Sequence, residues 1–471
     1  MRSILIFLTL AIGVSAQAKP NIVFLLADDQ STYTLGSYGN DDVKTPNIDQ
    51  LAAEGLVFDN HYDTTAICMA SRANIFTGLY EYRHGCNFGL GNLSQELWAN
   101  SYPMLLKNAG YKIAFAGKYG VEVEGRKLPV EDFDKWGGGP GQTNYATKKN
   151  KSMAAYAEEY PHSTVSYGAF GRDFIRECAK GDDPFCLSIS FKAPHMPDTP
   201  DPQFEDVYAG KKFKKPENYG REHGEHFSEQ SRQGRQYERF HSWHYSDNYD
   251  EVMRKYHQLI YAIDQAVGMI RAELEAQQLL EDTVIIYTSD NGFLCGSHGY
   301  GSKVIPYEES SRVPLIIRGG GAKVGRTSSL TGNIDLGPTM LALAGVDAPK
   351  DLDGASLMPL FADHDAEVRE SLQLMNFWGP EKVHSFAVVT PEFKYVLWNN
   401  VTDGMKQAEE LFDKQRDPLE LKNAAVNPEY TPQLKAMRDL YDEGVRQIAE
   451  RAVRPAYKIY GERFDRAKPW E

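Results

Sequence analysis

Two pairs of oxygen-bearing side chains, Asp28-Asp29 and Asp290-Asn291, each follow a short apolar run of the chain. In open parallel sheets, ligands collect where strands end. Three carboxylates brought together repel one another unless a cation sits among them. With the amide oxygen they form a hard, oxygen-only donor set suited to Ca²⁺ and less well to Mg²⁺. Between the two pairs lies Cys68-Met-Ala-Ser-Arg72. A helix beginning near Cys68 would put Arg72 on the same face as the thiol, four residues on. The helix amino end adds positive potential and free N–H groups. An anion over Cys68 would then meet a metal ion, a guanidinium and backbone donors together.

These residues need strands that end side by side. The run 21–27, bounded by Pro20 and by Asp28-Asp29, has the all-apolar pattern of a strand buried on both faces. Similar runs recur at 112–116, 185–191, 283–289 and 313–317, separated by helical patterns such as 47–54, stopped by Gly55, and 252–280. This alternation predicts an α/β fold, a mainly parallel sheet sandwiched by helices, over residues 19–365. From about residue 366 the pattern changes. Residues 386–390 and 393–398 read as an antiparallel pair, followed by Glu410-Leu-Phe-Asp413 and a closing helix over 432–450, a smaller α+β subdomain spanning 366–471.

The segment 197–250 is polar and lacks clear periodicity. Between Lys211 and His244 it carries eight Lys/Arg, four His and five Glu, a locally basic stretch on an acidic chain. It reads as a solvated loop, with a lid for an anionic ligand as the functional alternative. Trp243, Tyr245 and Trp378 could stack on sugar rings, although core packing is the default for aromatics.

With 471 residues, 42% of them hydrophobic, the chain can bury a large core, and its net charge of −14 argues against nucleic-acid binding. Met1-Arg2-Ser3, an apolar run over 4–14 and Ser15-Ala16-Gln17-Ala18 have the form of a cleavable export signal over residues 1–18. The run is too short to span a bilayer, and no later stretch is long enough. The expected location is therefore secreted or periplasmic, without a transmembrane segment. Of the five cysteines, Cys178 and Cys186 could close a nine-residue loop. The odd count leaves at least one thiol unpaired, and the sequence assigns no pairing.

Cys68-Met-Ala-Ser-Arg72 resembles the Cys-x-Pro/Ala-x-Arg signature of the formylglycine-dependent sulfatases, in which the cysteine is oxidised to formylglycine during export. Other segments look like the family's in the family's order: Pro20 to Asp29, Gly117-Lys118, Ala193-Pro-His-Met-Pro197, Ser289-Asp-Asn-Gly292, Gly296-Ser-His-Gly299 with Lys303, Arg312-Val-Pro314 and Asp353-Gly-Ala-Ser-Leu357. The resemblance covers residues from about 20 to 425 and implies a fold similar to alkaline phosphatase. It implies Asp28, Asp29, Asp290 and Asn291 as calcium ligands. It also implies Cys68, as hydrated formylglycine, as the nucleophile toward sulfur, favoured by Arg72.

By the same resemblance, Lys118 steadies the formylglycine and the sulfate, and His195 and Lys303 contact the sulfate and the leaving oxygen. His298 is close enough in sequence to join them. The implied partners are a sulfated carbohydrate and, during maturation, a formylglycine-generating enzyme. Two positions depart from the pattern. Ala70 stands where Pro is commoner. Gly120 stands where the family usually has the His that serves as base for releasing sulfate, which leaves His84, His298 or water for that step. Two other readings stay open: a phosphate or phosphonate monoester hydrolase of the same superfamily, and an inactive sulfated-glycan binding protein.

Overall fold

In the computed structural model, which describes residues 19–471, strand β1 (Asn21–Asp28) is buried along its whole length. The leader expected over 1–18 lies outside the described residues. Alternate side chains of β1 enter two cores, Ile22, Phe24 and Leu26 on one face and Val23, Leu25 and Ala27 on the other. Such a strand needs neighbours on both edges and helices on both faces. Its sheet holds, in chain order, β2 (Leu56–Phe58), β3 (Lys112–Lys118), β4 (Lys135–Gly139), β5 (Phe185–Pro194), β6 (Thr283–Ser289), β7 (Leu315–Arg318) and β8 (Gly325–Thr327), arranged β8-β2-β7-β6-β1-β5-β3-β4.

The run from β6 through β1, β5 and β3 to β4 is parallel throughout. Strand β7 is antiparallel to both β6 and β2, so the sheet is mixed but mainly parallel. Helices Ser163–Cys178 and Tyr249–Ala276 pack on each other and on β5. The second of these buries Met253, Tyr256, Ile260, Ile263, Val267, Ile270 and Leu274, the three-and-four spacing of one apolar stripe. The opposite face carries the helix Cys68–Thr77 and the helix Leu336–Leu343.

A second, antiparallel sheet runs β9 (Leu372–Asn376), β10 (Ser385–Val389), β11 (Phe393–Trp398) and β12 (Ala408–Asp413), with the helix Thr431–Arg451 against it. Its core is continuous with Tyr62, Tyr300, Tyr307 and Ile334 of the larger unit. Lys394 on β11 is fully buried, its Nζ 2.6 Å from Glu308 and 2.8 Å from Glu420, and Arg312 closes on Glu308 at 2.8 Å.

The polar segment differs from the expected loop. It forms short 3₁₀ turns and the helix Arg235–Ser242, and it buries Phe213, Asn218, Phe227, Gln230 and Phe240. Phe227 stacks on Tyr307 at 3.7 Å, and Gln230 donates to the carbonyls of Asn400 and Lys406, so this stretch is wedged between the two sheets.

All five cysteines are free, including Cys178 and Cys186. Cys186 belongs to the core on one face of the large sheet, whereas Cys178 packs against the core on the other, so β5 itself separates the two thiols. Among the described residues, no helix is long and apolar enough to cross a membrane.

Removing one partner of a buried ion pair strands the other charges. Lys394→Met is expected to lower the unfolding free energy by about 3–5 kcal/mol, read from denaturant midpoints at unchanged slope. A loss below about 1 kcal/mol, the range of an exposed pair, would mean that the carboxylates find other compensation.

Candidate active site

Parallel pairing brings the acidic pairs together. Ala27 on β1 lies opposite Ser289 on β6, so Asp28-Asp29 and Asp290-Asn291 leave adjacent strands at the same level. The Asp29 N–H donates to Asp290 Oδ1 at 3.2 Å, and Asn291 Nδ2 donates to Asp29 Oδ1 at 2.7 Å. On the other side of β1, Pro194 of β5 pairs with Asp28, which sets His195 at the same edge. Lys118 ends β3, the next strand over. Asp29 takes a left-handed φ of 72°, turning its carboxylate back over the strand ends.

Helix Cys68–Thr77 begins at this edge, as the spacing predicts. The thiol lies 3.4 Å from Asp28 Oδ1 and 2.8 Å from Lys303 Nζ. Arg72 donates through Nε and Nη2 to Asp290 Oδ2 at 3.0 and 2.8 Å, and through Nη1 to the Lys118 carbonyl at 2.9 Å and to Ser190 Oγ. Lys118 Nζ donates to Asp28 Oδ2 at 2.6 Å. Lys303 Nζ donates to Asp29 Oδ1 and, at 3.1 Å, to Asn291 Oδ1. His195 Nε2 is 3.7 Å from Asp29 Oδ2, while Nδ1 lies 2.6 Å from the Met196 carbonyl.

Nearly all of these groups are out of water. Asp28, Asp290 and Asn291 are 0% exposed, and Asp29 is 2% exposed. Burial works against ionisation of Asp28 and Asp29. The ammonium groups of Lys118 and Lys303 respectively, with His195, outweigh it and hold both carboxyls below the usual range. Burial alone would also discharge Lys303, yet Asp29 keeps it charged far above the ordinary lysine value. Burial, with the Asp28 charge beside it, pushes the Cys68 thiol up to about 11. An unmodified Cys68 is thus a neutral thiol and a poor nucleophile at neutral pH. Asp28 and Asp29, with Cys68 and His195, can bring ligand atoms within 4.8 Å of one another, and Asp290 and Asn291 lie directly beside Asp29, so this buried, oxygen-rich set fits a hard divalent ion.

The structure therefore gathers Asp28, Asp29, Cys68, Arg72, Lys118, His195, Asp290, Asn291 and Lys303 at one place. His298 stands outside it. The short strands Leu294–Cys295 and Gly301–Ser302 form a hairpin with Cys295 opposite Gly301. Its base returns Lys303 to Asn291, and its tip carries His298 away. His298 Nδ1 faces the His223 carbonyl at 3.0 Å, Nε2 faces Asn218 at 3.0 Å, and the ring packs on Phe227. His84, the other alternative base, is held between Asn74 and the Cys86 N–H, and burial pushes its pKa down to about 3.

Sequence reasoning missed Lys192, Ser190 and Asp63. Lys192 is 5% exposed, lies 5.0 Å over the Tyr145 ring, and loses basicity through burial, with Asp28 opposing. A lysine directly after the apolar run 185–191 was the available signal. Ser190 accepts from Arg72 out of that same run, where a small polar residue looks unremarkable. Asp63 is buried, and burial together with the Asp290 charge pushes its carboxyl well above the usual range.

Gly120 has a physical reason. Its φ is 77°, and a Cβ there would overlap Arg72 Cδ. The guanidinium arm occupies the space that any side chain at this position would need.

Residues 20–346 match the family model described as Sulfatase, and residues 296–447 match the one described as N-sulphoglucosamine sulphohydrolase, C-terminal. An N-acetylglucosamine-6-O-sulfatase of Bacteroides thetaiotaomicron is 29% identical, with 92% of this chain and 87% of that protein covered. A Homo sapiens N-acetylglucosamine-6-sulfatase is 31% identical over 74% of this chain and 65% of its own length. Among solved structures, one described as a complex with its substrate D-glucosamine-2-N,6-O-disulfate superposes with a TM-score of 0.77 at 25% identity, covering 91% of this chain and 98% of that one. A phosphonate monoester hydrolase of Agrobacterium radiobacter shares the fold, with a TM-score of 0.70 at 20% identity, covering 89% and 94%.

Gly120→Ala should displace Arg72 from Asp290 and destabilise the protein by about 1–3 kcal/mol, the range for overpacking a tight site, seen as a lowered denaturant midpoint. An unchanged midpoint would show that Arg72 can move aside freely.

Proposed function

Because the chain belongs to the sulfatase family, hydrolases of sulfate esters, we propose that this member is exported and removes sulfate from sulfated glucosamine-type sugars with a formylglycine at position 68 and a calcium ion. The observation that carries this reading is the setting of Cys68. Its Sγ stands at a helix amino end, within hydrogen-bonding reach of Lys303 and Asp28 and four residues before Arg72. Oxidation to formylglycine replaces a neutral thiol with a hydratable aldehyde, and so with a hydroxyl nucleophile. A calcium ion held by Asp28, Asp29, Asp290 and Asn291 would supply positive charge toward the sulfate oxygens.

The chain's own residues do the rest. Arg72 pins Asp290 and the end of β3, which keeps Lys118 aimed at the site. Lys118 and Lys303 bring two ammonium groups to the place of the transferred group, where charge can be stabilised without reorganisation. His195, whose Nδ1 is fixed by the Met196 carbonyl, presents Nε2 toward the Asp29 side of the site. It and Lys303 are the groups placed to hold a proton for the departing sugar oxygen. Glucosamine 6-sulfate is the favoured substrate class because the named relatives act on N-acetylglucosamine 6-sulfate and the complexed structure holds a glucosamine disulfate. Export rests on the leader pattern over residues 1–18.

Cys68→Ala should fold normally and lose turnover of an aryl sulfate to background. Peptide mass spectrometry of competent enzyme should find an aldehyde, not a thiol, at position 68. A free thiol in fully active protein would falsify the assignment. Turnover of the matching aryl phosphate above that of the sulfate would move the reading to a phosphoester hydrolase.

Exhaustive chelation should remove activity, with calcium restoring it better than magnesium. Activity that survives metal-free conditions would sink the metal assignment. Arg72→Lys, which cannot grip Asp290 through two nitrogens, should lower kcat by about 10²-fold or more, measured on the same aryl sulfate. A change of a few-fold or less would remove Arg72 from the stabilisation of the site.

A further inference from the structure

Helix Arg235–Ser242 carries Arg235 and Arg239 four residues apart, with Trp243 four residues further at its end. The three side chains share one face of the helix. Arg239 lies 4.0 Å over the Trp243 ring and donates to Ser302 Oγ at 2.6 Å, next in sequence to Lys303. Arg235 lies 5.0 Å over the ring of Trp378, from the second sheet unit. Trp378 in turn packs on Ile67, Ala70 and Val304, the neighbours of Cys68 and Lys303. The arginine face therefore borders the site on the Lys303 side, with Phe88, 45% exposed, beyond Trp378.

Neither arginine is held in an ion pair among the described residues. Most arginines of the protein reach a carboxylate within ion-pair distance, but among the described residues neither Arg235 nor Arg239 does. Arg235 is exposed, and Arg239 is half-buried. Two guanidinium groups one helical turn apart, each over an aromatic ring and close enough for the Arg235 charge to act on Arg239, offer paired donors to an oxyanion.

We propose that Arg235 and Arg239, backed by Trp378 and Trp243, form a second anion subsite that selects sugars bearing another sulfate or a carboxylate besides the sulfate to be removed. The inference rests on the sulfatase reading above and adds a substrate requirement to it. The half-buried ring of Trp378 backs Arg235, and the two guanidinium forks take the second anion. The flat bidentate geometry favours a planar or tetrahedral oxyanion over a neutral acetamide.

The test compares kcat/KM for glucosamine 6-sulfate in its N-acetylated and N-sulfated forms, and for a disaccharide in which N-acetylglucosamine 6-sulfate adjoins a uronate. Wild-type enzyme should prefer a doubly charged substrate. Arg235→Gln and Arg239→Gln should each reduce that preference about ten-fold or more, through KM and not kcat, and the wild-type preference should fall as salt rises. Loss on the N-sulfated sugar identifies a sulfate on the same ring as the ligand, and loss on the disaccharide identifies the neighbouring carboxylate.

Arg239→Gln could disturb Lys303 through Ser302, so the exposed Arg235 is the deciding variant. If Arg235→Gln leaves the preference unchanged, or lowers kcat equally on every substrate, the subsite is overturned. Hydrolysis of an aryl sulfate by the same preparations keeps that outcome apart from failure of the sulfatase reading itself.

Discussion

Three carboxylates buried at one point are the constraint around which the rest of this protein is arranged. Asp28, Asp29 and Asp290 have almost no access to water. Unmatched charges of one sign in such a place cost several kcal/mol each. Arg72, Lys118 and Lys303 therefore have to arrive there, and each comes from a different part of the chain. The helix that begins at Cys68 delivers Arg72, the end of a parallel strand delivers Lys118, and the base of a hairpin delivers Lys303. The same positive charge that permits the carboxylates to exist also prepares the site for an anion. Folding and anion binding thus draw on one electrostatic arrangement.

The second sheet and the polar segment contribute differently. The segment is held between the two sheets by Phe227, Gln230 and Asn218, and this packing brings a basic helix to the site's margin. The core that joins the sheets contains a buried network around Lys394, whose geometry ties residues 308–312, just after the Lys303 hairpin, to β11 and to Glu420. The route from the second sheet to the site is short: Trp378 follows β9 closely and packs against the neighbours of Cys68 and Lys303. Surface chemistry beside the site is thereby assembled from residues distant in sequence.

A gap in the expected residue set also has a local explanation. At Gly120 the backbone is left-handed and faces the stem of Arg72, so a side chain and the present Arg72 arrangement exclude each other. Lys192, which the apolar run concealed, is buried over the Tyr145 ring.

Much of this was legible in the residues alone, for a reason that lies in locality. Strand and helix periodicity, the acidic residues that follow strands, and the i, i+4 relation of Cys68 and Arg72 depend only on near neighbours. The strands at 21–28, 185–194 and 283–289 and the helix starting at Cys68 accordingly lie where the pattern puts them. What depends on register and direction was decided only by the tertiary structure. The antiparallel course of β7, the parting of Cys178 from Cys186 by a sheet, and the departure of His298 from a site that Lys303 joins five residues later all follow from which way the chain turns after it leaves an element. Those turns are set by contacts with segments well outside the local stretch of sequence, and no local pattern encodes them.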